Sequence, residues 1–202
     1  MTKLLLATRN AAKAREYSLL LGEIPFEVVT LDEQGIETEV SETGETLEQN
    51  ATLKAVAYAS QSNLLTLADD SGLEVDALDG EPGVLSARYA GPGASDEERI
   101  KFLLKRLEDV PWEKRSARFR CVIAIATPEG EVELCCGECQ GIIALSPKGK
   151  NGFGYDPIFY LPEQGKTMAE LSMEDKNKIS HRGLAAEQAR KTLVKRQSGR
   201  KE

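Results

Sequence analysis

Leu64-Leu65-Thr66-Leu67-Ala68-Asp69-Asp70-Ser71-Gly72 is an apolar run closed by two adjacent carboxylates, a small hydroxyl and a glycine. The run has the length and composition of a buried strand. Two carboxylates at the end of such a strand repel each other and cost desolvation unless a cation or a proton joins them. A hard divalent metal is the natural partner for aspartate oxygens, which points to a magnesium site. A polar strand end followed by a turn is the alternative, since Asp, Ser and Gly all form turns.

Upstream, Lys3 to Thr8 reads as a buried strand, Asn10 as a helix N-cap, and Ala11 to Leu21 as the helix, with Gly22 ending it. Phe26 to Leu31 is a second strand, and 32–44 a polar loop. Thr46 to Ser60 is a helix, with Thr46 and Gln49 as a capping box and Leu47, Ala51, Ala55 and Ala59 or Val56 as its apolar face. Downstream, Leu73 to Asp76 reads as a further short strand and 79–94 as loop. Ser95 caps a helix that runs to about Glu108, before Pro111. Ala117 to Thr127 and Glu131 to Leu145 are long strands joined by the hairpin signal Pro128-Glu129-Gly130. Residues 146–157 are glycine-rich loop, Ile158 to Tyr160 a short strand, and Thr167 to Leu171 and a segment from Ser180 helical, with the end near Gln197 to Glu202 frayed. Strands alternating with helices, and a hairpin in the second half, give an α/β fold with a mixed sheet.

The chain has 202 residues, enough for one sizeable domain or two small lobes. Its 41% hydrophobic and 29% charged residues are ordinary for a globular protein. A net charge of −7 argues against a general grip on nucleic acid but leaves room for a local basic pocket. No run reaches membrane-spanning length, and the N-terminal apolar stretch is too short for a signal peptide, so the reading is cytoplasmic. Cys121, Cys135, Cys136 and Cys139 are then expected to be thiols. Cys135-Cys136-Gly137-Glu138-Cys139 lacks a second ligand pair at zinc spacing and reads as strand.

Four further constellations carry chemistry. In Thr8-Arg9-Asn10-Ala11-Ala12-Lys13 a helix begins with Asn10 and Lys13 on one face, which suits phosphate; an ordinary cap with a solvated lysine is the alternative. Asn50 and Lys54 stand four apart on a helix after Glu42-Thr43-Gly44 and could hold phosphate oxygens; the alternative is a snorkelling lysine. Gly152-Phe153-Gly154-Tyr155-Asp156-Pro157 offers backbone that can approach a ligand and an aromatic that can stack on a base. Lys176 and Ser180-His181-Arg182-Gly183 gather donors at a helix start, suited to an oxygen-rich ligand. Together these are the parts of a nucleoside triphosphate pocket.

The same segments resemble the inosine triphosphate pyrophosphatase family over nearly the whole chain. The resemblance runs from Leu6-Ala7-Thr8-Arg9-Asn10 through Glu42-Thr43-Gly44, Asn50 and Lys54, and Ala68 to Leu73. It continues through Pro82-Gly83, Ser86-Ala87-Arg88-Tyr89 and Gly152 to Pro157, and ends at Ile179-Ser180-His181-Arg182. It implies hydrolysis of non-canonical purine nucleoside triphosphates (inosine, deoxyinosine and xanthosine) to the monophosphate and pyrophosphate, with magnesium. It also implies a homodimer and a two-lobed α/β fold with the site in the cleft between lobes. Carried over by residue, Thr8, Arg9, Asn10, Ala11, Ala12, Lys13 and Lys54 bind phosphates. Glu42 and Asp70 hold magnesium, Asp70 is the base, Asp69 supports it, and Ser71 contacts substrate. Phe153, Gly154, Tyr155, Asp156, Lys176, His181 and Arg182 surround the purine. Arg9 departs from the family's usual small residue, and Gln49 from its frequent Glu. A Maf-type pyrophosphatase and a non-catalytic nucleotide-binding module are the rival readings. Ser180-His181-Arg182 argues against the first, and the intact Glu42 and Asp70 pair against the second. The donors Lys176, His181 and Arg182 predict a preference for 6-keto purines over adenine.

Overall fold

A computed structural model describes residues 2–22 and 24–198. Among them the strands form an eight-stranded mixed sheet in the order β2-β1-β3-β5-β6-β7-β8, with β4 paired to β3. These are β1 (Thr2–Leu6), β2 (Phe26–Thr30), β3 (Leu65–Val75), β4 (Pro82–Gly83), β5 (Ser116–Ala126), β6 (Val132–Ile143), β7 (Phe159–Leu161) and β8 (Lys166–Thr167). β1 runs parallel to β2 and to β3, whereas β4 against β3, β7 against β6 and β8 against β7 are antiparallel. The mixed α/β class expected from the sequence is the observed one. No helix of the described residues is long and apolar enough to cross a membrane.

The chain divides into two compact units. The first contains residues 1–70, 121–137 and 182–202, and the second contains 71–120 and 138–181. Three strands, β3, β5 and β6, therefore contribute to both. The first unit includes α1 (Ala11–Leu20), α2 (Leu47–Ser62) and nearly all of α5 (His181–Ser198). Its core joins Leu4 and Leu6, Leu65 and Leu67, and Cys121, Ile123 and Ile125 of the sheet to Tyr17 of α1, to Leu21 just after it, and to Ala185, Ala189 and Leu193 of α5. Leu5, Thr66 and Ala68, which alternate with these, are buried as well, as a doubly covered sheet requires. The second unit includes α3 (Asp96–Arg106) and α4 (Met173–Ile179). Leu103 and Leu107 pack there with Leu73, Val75, Phe119, Ile143, Phe159 and Met168.

Three expectations need correction. The Asp69-Asp70-Ser71-Gly72 segment does not end a strand: β3 runs unbroken from Leu65 to Val75, absorbing the separate strand expected at Leu73. The strand continues because it changes partner, from parallel β1 at Leu65–Leu67 to antiparallel β4 at Leu73 and Glu74. Gly72 permits the change, since a Cβ there would lie 2.4 Å from the Gly83 carbonyl oxygen. Thr167 to Leu171 forms only a short 3-10 turn after β8, and the helix of that region is α4, capped by the Ser172 hydroxyl on Asp175 N at 3.1 Å. The Thr46–Gln49 capping box is half made: Thr46 accepts from Gln49 N, but Gln49 Oε1 accepts from Glu45 N instead of Thr46 N. The hairpin at Pro128–Gly130 closes as expected, with Thr127 N donating to Glu131 O at 2.9 Å. The fraying expected near Gln197 to Glu202 falls largely on 199–202, outside the described residues.

Candidate active site

In the first unit, charge gathers on Asp69 and Asp70, whose side chains leave opposite sides of an extended strand. Asp69 continues the face of Leu65 and Leu67 and is 2% exposed. Its Oδ2 receives Lys13 Nζ at 2.8 Å and lies 3.8 Å from Arg182 Nε. Cys121 Sγ donates to the same oxygen at 3.9 Å, and the Tyr17 hydroxyl stands 3.8 Å from that sulfur. Burial would raise the Asp69 carboxyl, but Lys13, then Arg182 and Lys54, outweigh it and hold it below its ordinary value. Burial, reinforced by Asp69, pushes the Cys121 thiol up to about 12, so it stays protonated. Asp69 is thus a fixed anion.

Asp70 is a carboxylate of the opposite kind. Burial raises it, Lys54 pulls it down, and Glu42 pushes it up again; the net shift is upward. Lys54 Nζ donates to Glu42 Oε1 and, at 2.6 Å, to the Asp69 carbonyl oxygen. Burial would lower the Lys54 ammonium, but Asp69, Glu42 and Asp70 together raise it, so it remains a cation. Glu42 and Asp70 present hard oxygen donors with surplus negative charge, a set that fits a magnesium ion completed by substrate phosphates. Among the described residues no group of three or more His, Cys, Asp or Glu side chains could hold a metal by itself, and this includes the cysteine-rich segment. On β6, Cys135 and Cys139 are buried and Cys136 exposed, as the strand reading expects.

Several residues expected at this site have other duties. Asn10 caps α1: its Oδ1 accepts from Ala12 N at 2.9 Å and Lys13 N at 3.1 Å, while its own N–H donates to the Thr8 hydroxyl at 3.2 Å. The Ala12 and Lys13 amides are thus already bonded to the cap. The Arg9 guanidinium donates to Ile36 O at 2.6 Å and Thr38 O at 3.1 Å and ties down the 31–38 loop. Asn50 is fully buried, with Oδ1 accepting from Gly44 N at 2.8 Å, so it steadies the turn that carries Glu42. A Cβ on Gly44 would meet that oxygen at 2.8 Å. Arg182, expected beside the base, is 2% exposed and pairs with Glu16 at 2.5 Å as well as facing Asp69.

The aromatic loop lies in the second unit. Asp156 Oδ2 accepts from Phe153 N at 2.9 Å and from Lys176 Nζ at 2.6 Å. Asp156 and Lys176 are 2% and 3% exposed, so the carboxylate is an internal anchor for the loop. Gly152 permits the wrap, because a Cβ there would overlap Asp156 Oδ2 at 2.0 Å. Lys176 Nζ sits 5.0 Å from the centre of the half-buried Phe153 ring, a cation–π contact. Tyr155 does not supply a second stacking face; it is 4% exposed, and its hydroxyl donates to Ser86 O at 3.0 Å. His181 is buried and stacks on Phe119 with centroids 4.6 Å apart. Ser71, directly after Asp70, is half-buried.

Glu16, and the distant contacts of Ser86 and Asp96, escaped the sequence reading. Glu16 lies three residues after Lys13 and next to the core residue Tyr17, a spacing that places it on the buried side of α1. Ser86 and Asp96 carry no local signal, since their partners are distant in the chain.

A model of the Ham1 family matches residues 4–192. The chain is 48% identical to a dITP/XTP pyrophosphatase of Halalkalibacterium halodurans, covering 96% of this chain and all of that one. It is 52% identical to a dITP/XTP pyrophosphatase of Geobacter sulfurreducens, over 92% of this chain and 93% of the relative. Among solved structures, a HAM1 protein from Coxiella burnetii superposes with a TM-score of 0.89 at 44% identity, covering 96% of this chain and 100% of that one. The Staphylococcus aureus Ham1 protein gives 0.86 at 43% identity, over 95% and 98%.

Proposed function

This chain belongs to the Ham1 family, and on that premise we propose that it hydrolyses non-canonical purine nucleoside triphosphates, such as deoxyinosine and xanthosine triphosphates, to the monophosphate and pyrophosphate. The kinship with dITP/XTP pyrophosphatases over nearly the full length supports the reaction class. The observation that carries the reading to a site is Asp70, a carboxyl raised by burial and by Glu42, standing among the cations of Lys54 and Lys13.

In this reading Lys13 and Lys54 exchange part of their present contacts for triphosphate oxygens and neutralise charge as the anhydride breaks. Thr8 and the start of α1 flank the phosphates. Glu42 and Asp70 would hold magnesium, which when bound would polarise a phosphate and acidify water. Asp70 takes the proton from the attacking water as the water oxygen bonds to the α-phosphorus; the bond from that phosphorus to the oxygen bridging to the β-phosphate breaks, and pyrophosphate leaves with that oxygen. Asp69 keeps Lys13 in place and has no proton to exchange. Phe153 supplies a face for the base. The Lys176 ammonium, fixed by Asp156, supplies a donor that suits a 6-keto oxygen and opposes an exocyclic amine. The family resemblance further supports a homodimer, which light scattering of the purified protein would test.

The test is product analysis with deoxyinosine triphosphate, with and without magnesium. Monophosphate and pyrophosphate in equal amounts, formed only with the metal, are expected. Diphosphate and orthophosphate, or no turnover, would refute the assignment.

A further inference from the structure

The loop Gly152–Asp156 is held from within and from two segments distant in sequence. Asp156 fastens it from within, and Tyr155 fastens it to Ser86 O. The third hold is Asp96 Oδ2, which accepts from Gly154 N at 2.6 Å across 58 residues of chain. Gly154 has φ +62°, so its amide projects in a direction that side-chain-bearing residues rarely offer. The other Asp96 oxygen, Oδ1, takes Arg99 Nη2. Arg99 Nη1 in turn donates to Ala87 O at 2.6 Å and Ala94 O at 2.8 Å. Asp96 is therefore oriented by a partner that is itself fixed at two carbonyls.

Asp96 is not needed to begin α3. Ser95 and Glu98 form a complete capping box there, with Ser95 Oγ accepting from Glu98 N at 3.2 Å and Glu98 Oε2 accepting from Ser95 N at 2.7 Å. The complete cap leaves the Asp96 side chain to aim elsewhere, and it is aimed at the residue between the Phe153 ring and Tyr155. The bond joins a carboxylate to a backbone N–H, the stronger class of hydrogen bond.

We propose that Asp96 is a positioning residue for base recognition: through Gly154 it fixes the tilt of the Phe153 ring against which the nucleobase stacks. The inference rests on the function proposed above, because it needs a purine on Phe153. Small displacements of a positioned group can cost large factors in binding or rate, so a surface aspartate can matter to selectivity without touching the substrate.

The experiment compares wild type, Asp96→Ala and Asp96→Asn by calorimetric binding of inosine monophosphate and of inorganic pyrophosphate, and by steady-state kinetics with inosine triphosphate. Asp96→Ala is expected to weaken the monophosphate by about tenfold and to raise KM similarly, with kcat within about threefold of wild type. Pyrophosphate, which has no base, should bind Asp96→Ala and wild type alike. Asp96→Asn keeps an oxygen acceptor for Gly154 N and should fall between the two. Equal monophosphate binding by wild type and Asp96→Ala would overturn the proposal, as would equal losses for monophosphate and pyrophosphate. An Asp96→Ala protein that fails to fold would also overturn it, since the capping box should hold α3 alone. A wild type that binds no inosine monophosphate would instead refute the proposed function, and this inference with it.

Discussion

Asp69 and Asp70 are chain neighbours whose surroundings give them opposite tasks. Asp69 is held ionised by Lys13 and Arg182, and Asp70 is raised by burial and by Glu42. Replacing Asp70 by Asn should lower kcat by about 10²–10⁴-fold, the range for loss of a general base, with the fold retained by circular dichroism. Replacing Asp69 by Asn should instead lower stability, by on the order of 3 kcal/mol in urea unfolding, because it strips buried cations of their counter-charge. A pH dependence accompanies it. The folded carboxyl of Asp69 lies below its unfolded value, so its stabilisation is complete above the ordinary aspartate range and is lost as pH falls through the folded value. The acid side of the stability profile should be flatter in Asp69→Asn than in wild type. An unchanged acid limb would mean that Asp69 titrates as it does in the unfolded chain.

At the scale of elements, β3 carries Asp69 and Asp70 mid-strand, running on past them to Val75. Gly72 makes this possible, and Gly72→Ala should force β3 and β4 apart at the Gly83 carbonyl. A cost of about 1–3 kcal/mol is expected, as for other overpacked positions, read as a fall in Tm; an unchanged Tm would show that β4 yields freely. The sequence displayed strand and helix identities well wherever hydrophobic period and caps agreed, as at Asn10 and at Ser95 with Glu98. It misled at Asp69–Gly72, where turn-forming residues sit inside a strand. Turn chemistry is local, whereas the continuation of β3 depends on a partner ten residues away. α4 is hard to see in the sequence because seven residues show too little period, although Ser172 and Asp175 spell its cap.

For the molecule as a whole, an excess of acidic residues coexists with three lysines, Lys13, Lys54 and Lys176, paired with Asp69, Glu42 and Asp156. The residue types of a nucleotide site were legible, because Asp, Lys and Gly beside apolar runs and helix starts announce charge and close approach. Their division of labour was not. Asn50 and Arg9 turned out to brace loops, Tyr155 to be buried, and Arg182 to pair with Glu16, since each depends on a partner that only the fold brings near. The central claim is that the second unit's Phe153 and Lys176 choose keto purines for hydrolysis. The most direct measurement is kcat/KM for inosine, xanthosine and adenosine triphosphates side by side. Mismatched donors leave buried polar groups unpaired, so inosine and xanthosine triphosphates should exceed adenosine triphosphate by on the order of a hundredfold or more. Adenosine triphosphate turned over as well as inosine triphosphate would contradict the account.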